Sequence, residues 1–76
     1  MAEESFDLGV VLKEIRKRKN LSLAQAGIES GLSKSAIVRI ERGDRHPGLQ
    51  SLTSIAGAYG IRFVVDGEGV FIEDAP

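Results

Sequence analysis

The stretch LSLAQAGIESGLSKSAIVRIERG, residues 21–43, decides how this chain folds. Ser22 is an N-cap residue placed just before an apolar pattern. Leu23, Ala26, Gly27 and Ile28 form the expected inward face of one short helix. Glu29 and Ser30 end it, Gly31 supplies a left-handed turn residue, and Leu32 points inward. Ser33 then caps a second short helix, closed by Gly43, in which Ala36, Ile37 and Ile40 share one face. Inside a helix glycine costs about 1 kcal/mol relative to alanine. Gly27 therefore predicts a close backbone approach, with the second helix as the neighbour.

Lys34, Ser35, Val38, Arg39 and Arg42 lie on or beside the free face of that second helix. A DNA major groove asks for donors to guanine edges and an apolar contact for the thymine methyl. These residue types supply both. They are equally what an ordinary solvated helix face carries, so the helix alone leaves two readings open.

Outward from this centre, residues 7–19 read as a preceding helix with Leu8, Val11, Leu12 and Ile15 as its buried stripe. Ser5 or Asp7 is its candidate cap. Lys13, Lys17 and Arg18 occupy its other face, and Asn20 is a good left-handed terminator. After Gly43, residues 44–48 form a polar connection containing Pro47. Residues 49–59 make a fourth helix with Leu49, Leu52, Ile55, Ala56 and Tyr59 as its apolar stripe. Gly57 weakens it and Gly60 terminates it.

A chain of 76 residues is one small domain. It has no cysteine, hence no disulfide or thiolate metal site. Net charge is only -1, but all ten Lys and Arg lie between Lys13 and Arg62, against four acids there, Glu14, Glu29, Glu41 and Asp44. That body is positive by six, and the ends are acidic. Phosphate responds to the local field. No apolar run approaches the roughly 20 residues of a membrane span, and the acidic start MAEESFDLG lacks a basic signal-peptide region. A cytoplasmic location is expected, with no membrane partner. Enzyme chemistry is poorly served: His46 is the one histidine, no paired carboxylates share an element, and DGEG lacks the lysine and helix of a phosphate loop. No cofactor and no metal are expected.

Residues 8–60 resemble the Cro/C1-type (XRE) helix-turn-helix family of prokaryotic and phage regulators. The resemblance rests on Ile15–Arg16, Leu21–Ser22, Gly31–Leu32–Ser33, Ile37, and Ile40–Glu41–Arg42–Gly43. Pro47 and the Leu49, Leu52, Ile55, Ala56 stripe complete it. It implies a mostly α, four-helix, lambda-repressor-like domain over residues 7–60 that binds double-stranded DNA. Lys34, Ser35, Val38 and Arg39 would read bases, while Lys17, Ser22, Arg42 and Arg45 would meet phosphate. Arg16 and Glu41 would pair and tie the first helix to the third. Partly buried opposite charges are costly to leave alone, so the pairing also makes physical sense. Two departures stand out. Leu23 replaces the glutamine many members carry at the start of the second helix, and Ala26–Gly27 replaces a leucine–alanine pair.

Residues 1–6 are an acidic tail. Residues 61–76 read as a short β extension with an acidic end: IRFVV and VFIED are strand-prone, and DGEG between them forms a turn. A lone hairpin is marginal in water. Pairing with a second copy, in an intersubunit sheet burying Phe63, Val65, Phe71 and Ile72, is the expectation. The extension resembles the C-terminal strands of HipB-like dimeric antitoxins. The alternative is a hairpin folded back on its own helices. A homodimer suits an inverted-repeat operator, and repression is expected over activation because no dedicated activation surface is visible. A toxin or other regulatory protein is the alternative partner.

Overall fold

The computed structural model describes residues 7–76; Ser5 as a cap and the acidic tail of residues 1–6 lie outside the described residues. Four helices, α1 (Leu8–Arg18), α2 (Leu23–Ser30), α3 (Lys34–Arg42) and α4 (Leu49–Tyr59), precede two strands, β1 (Ile61–Asp66) and β2 (Gly69–Asp74). Asp7 caps α1, its carboxylate accepting from the Val10 N–H at 3.3 Å. Asn20 follows α1 with φ of 60°, as its type allows. Ser22 and Ser33 cap α2 and α3 by accepting from the N–H of Gln25 and of Ala36, each at 3.0 Å. Gln25 returns the bond, its side-chain oxygen accepting from the Ser22 N–H at 2.9 Å. This is a capping box, visible in the Ser22-to-Gln25 spacing.

Leu12, Ile15, Ala26, Ile37, Ile40, Ile55, Tyr59 and Ile61 form the core, so every helix and β1 contribute. Leu12, Ile37 and Ile55 are its largest fully buried side chains. Each such burial contributes about 1.5–3 kcal/mol. α1 packs on α3, α2 on α3 and α4, and β1 on α4.

Two glycines let backbones touch. A Cβ on Gly27 would sit 2.5 Å from the Lys34 nitrogen and 2.6 Å from the Ser33 carbonyl carbon. The approach predicted there is real, and the neighbour is the first turn of α3. Gly9 does the same for α1, where a Cβ would meet the carbonyl oxygens of Ile40 and Glu41 at 2.6 and 2.7 Å.

Two expected core positions lie outside. Ile28 is 80% exposed, because Ala26, Gly27 and Ser30 form the buried side of α2 and residue 28 falls on its far side. Leu49 is 83% exposed. It opens α4, one turn before the residues that other elements cover.

The strands pair antiparallel with each other inside one chain, with Phe63 opposite Ile72 and Val65 opposite Val70. The Glu68 N–H donates to the Asp66 carboxylate at 2.7 Å across the turn. The hairpin folds back onto its own helices. Of the four residues named for an intersubunit sheet, Phe63 and Ile72 pack against the chain's own core, whereas Val65 and Phe71 remain exposed. The period of two in a strand puts Ile61, Phe63, Val65, Val70 and Ile72 on the face toward the helices and Phe71 on the other face. Val65 is on the inner face but next to the turn, away from the core, and stays exposed. Lys19 reaches the base of the hairpin, its ammonium donating to Asp74 at 2.9 Å and holding that carboxyl below the usual carboxylate range. No helix among the described residues is long and apolar enough to cross a membrane.

Candidate nucleic-acid interface

α3 is amphipathic in the way the residues require. Ala36, Ile37 and Ile40 are buried, while Lys34, Ser35, Arg39 and Arg42 are exposed and Val38 is half-buried between the faces. Ser35, Val38, Arg39 and Arg42 follow one another at i, i+3, i+4 and i+7, so they form a single outward stripe. Lys34 sits beside it at the N-terminal turn, where the backbone dipole is positive. The structure thus brings the four candidate base-reading residues onto one helix face. Arg42 joins the same stripe.

The chain beyond α3 folds back on it. The N–H groups of Asp44 and Arg45 both donate to the Arg39 carbonyl, at 2.9 and 3.2 Å. Arg45 is exposed on this connection, next to exposed His46. Arg42 approaches Asp44 at 3.5 Å with both side chains more than half exposed. Pairs so exposed are weak, and a phosphate can displace the carboxylate. Ser22 is exposed at the start of α2, and Lys17 on the last turn of α1.

A buried ion pair holds α3 in place. The Arg16 Nε and Nη2 groups donate to the two Glu41 carboxylate oxygens at 2.7 and 3.2 Å, and Nη1 donates to the Leu21 carbonyl at 2.8 Å. Both side chains are under 10% exposed. The Glu41 hydrogen bond holds the guanidinium above its ordinary value against the opposing effect of burial. Tyr59 packs nearby in the core, its hydroxyl pushed up to about 12 by burial first and by Glu41 second. Glu41 therefore has its charge satisfied and faces inward.

The described residues contain no cluster of three or more His, Cys, Asp or Glu able to hold a metal ion. Two contributors to the site went unread in the sequence. Gln25 completes the cap beside Ser22, and Gly9 lets α1 lie against the end of α3. A capping-box search finds the first. The second shows only as an unexplained glycine in a helix.

The helix-turn-helix family model matches residues 12–65. The immunity repressor protein of Bacillus phage phi105 is 35% identical over 68 residues, covering 88% of this chain and 47% of that protein. The HTH-type transcriptional regulator SlrR of Bacillus subtilis (strain 168) is 40% identical over 50 residues, covering 64% of this chain and 33% of that protein. This chain thus spans about half or less of the length of these curated relatives. The crystal structure of the restriction-modification controller protein C.AhdI from Aeromonas hydrophila superposes with a TM-score of 0.68 at 34% identity, covering 70% of this chain and 80% of that one. The chain belongs to the helix-turn-helix family of DNA-binding regulators, of the Cro/C1 type its motifs resemble.

Proposed function

We propose that this chain binds a specific double-stranded DNA sequence as a homodimer and represses transcription from an inverted-repeat operator. The carrying observation is the outward stripe of α3, where Ser35, Val38, Arg39 and Arg42 stand at helical spacing on a helix clamped from behind by Arg16 and Glu41. Lys34, Ser35, Val38 and Arg39 meet base edges in the major groove, Arg39 by the paired hydrogen bonds a guanidinium offers to guanine. Lys17, Ser22, Arg42 and Arg45 neutralise or hydrogen-bond phosphate and fix the register.

Each good base contact discriminates by about 1–3 kcal/mol. One recognition helix reads too few base pairs for a unique address. Two related by a dyad read half-sites about one helical turn apart. Occupying a promoter in this way excludes polymerase. The phage phi105 relative is named a repressor and the C.AhdI relative a restriction-modification controller, which favours regulation of this kind.

A second reading, an antitoxin of the HipB kind that also grips a protein partner, draws on the exposed Val65, Val70 and Phe71 of the hairpin. Selection of bound duplexes from a random pool tests the main reading. A palindromic consensus is expected, with Arg39→Ala and Lys34→Ala relaxing preference at separate positions. Recovery of no consensus, or variants that bind like the parent, overturns it.

A further inference from the structure

We propose that Gly9 and Gly27 are positioning residues for DNA reading: they seat the two ends of α3 and so set the tilt at which its outward stripe meets base edges. The inference rests on the DNA reading of the preceding section and names what holds its geometry.

The chain has nine glycines. Only at Gly9 and Gly27 would an added Cβ strike the backbone of another element, and both strikes fall on α3 and its cap. Gly27 lies against the Ser33 cap and Lys34, the first residue of the helix, whereas Gly9 lies against the carbonyls of Ile40 and Glu41 in its last turn. A rise of about 1.5 Å per residue puts these two seats roughly 10 Å apart along the axis. Neither glycine has a positive φ. Alanine therefore fits its own backbone at both, and the added Cβ acts through its neighbour alone.

Different reading residues stand over the two seats. Lys34 and Ser35 begin the helix above Gly27, and Arg39 directly precedes the carbonyls that face Gly9. The struck atoms are backbone, which cannot swing aside as a side-chain tip can. Relaxing contacts of 2.5–2.7 Å to the 3.4 Å of ordinary packing takes a movement of about 0.5–1 Å in a close-packed interior. A binding constellation tolerates only about 0.5 Å. A push at Gly27 pivots α3 about its far end, where Arg16 holds Glu41, and displaces Lys34 and Ser35 most. A push at Gly9 pivots it about the near seat and displaces Arg39 instead.

Selection of duplexes from a random pool tests this, using the full 76-residue chain, Gly9→Ala and Gly27→Ala. Each variant is made also in a Gly57→Ala background, where the added Cβ meets nothing within 4 Å. Lost stability alone shrinks the competent fraction and weakens every sequence by the same factor. Altered tilt changes relative preference. Gly27→Ala should lower discrimination by roughly tenfold, about the loss of one good base contact, at the base pairs that Lys34→Ala relaxes. Gly9→Ala should do so at those that Arg39→Ala relaxes. Ile55→Val, which thins the buried core within α4, should keep the parental preference. Folded glycine variants that both keep the parental preference overturn the inference and leave the DNA reading intact. So does a preference change shared by Ile55→Val. Variants that show no helical circular dichroism in either background also overturn it, because the glycines then serve folding alone. A parent that recovers no consensus removes the DNA reading, and the seats with it.

Discussion

Arg16 grips both carboxylate oxygens of Glu41 across 25 positions of sequence, at 2.7 and 3.2 Å, and thereby ties α1 to the last turn of α3. The remaining bond, to the Leu21 carbonyl, draws in the connection before α2. One side chain thus joins three segments around α3. The pair is a positioning device, because its atoms face the interior.

Breaking that pair should be costly. Glu41→Gln leaves a buried guanidinium without its counter-charge, and losses of about 3–5 kcal/mol follow from such uncompensated charge. Urea denaturation followed by circular dichroism measures it. A loss below about 1 kcal/mol, the range of an exposed pair, would remove the clamp from the account.

Alanine at two helical glycines should act in opposite directions. At Gly27 the new Cβ meets α3 backbone atoms at 2.5 and 2.6 Å, so overpacking by about 1–3 kcal/mol outweighs a propensity gain of about 1 kcal/mol. At Gly57 nothing lies within 4 Å, and Gly57→Ala should stabilise by about 0.5–1 kcal/mol. Thermal melts of the two variants check the signs. Equal effects would show that the α2–α3 contact yields.

DNA binding should separate two kinds of cation. Arg39→Ala is expected to cost about 1–3 kcal/mol on the cognate site and to relax preference at one or two base pairs. Lys17→Ala and Arg42→Ala should weaken all sequences alike and lower the salt slope by about one unit each. Fluorescence anisotropy titrations over a salt series distinguish them. A uniform loss from Arg39→Ala moves that residue from bases to phosphate.

Alkali should loosen the core through Tyr59. Its hydroxyl ordinarily titrates at 10.0 and is pushed up to about 12 in the fold. Between those values the unfolded chain releases the proton and the folded chain keeps it. Stability from this group is therefore whole below pH 10 and is lost as pH rises to 12, by about 2–3 kcal/mol. Comparing the parent with Tyr59→Phe by urea denaturation across this window isolates the effect. Parallel declines in the two proteins would assign it elsewhere.

The α3 stripe was legible because amphipathic helices announce themselves by period and caps. Ser33, Ala36, Ile37, Ile40 and Gly43 all agree on one helix, and the free residues follow. Legibility faded where one residue decided between neighbours. Ile28 is apolar but lies on the far side of α2 from Ala26 and Ser30. Leu49 shares the stripe of α4 but has nothing over it. Hydrophobicity states that a side chain would gain from burial, not that a partner is there to bury it.

By itself the sequence determined the order of the helices and their capping, since Asp7, Ser22, Ser33 and the left-handed turn residues act over three or four positions. It also determined the family, through the spacing of Arg16, Gly31, Glu41 and Pro47. Only the tertiary structure decided that Gly9 lets α1 lie against the end of α3, that the hairpin folds onto its own helices, and that Leu49, Val65 and Val70 surround one hollow. These depend on contacts between distant segments, where the outcome rests on which surfaces remain after all the others have packed.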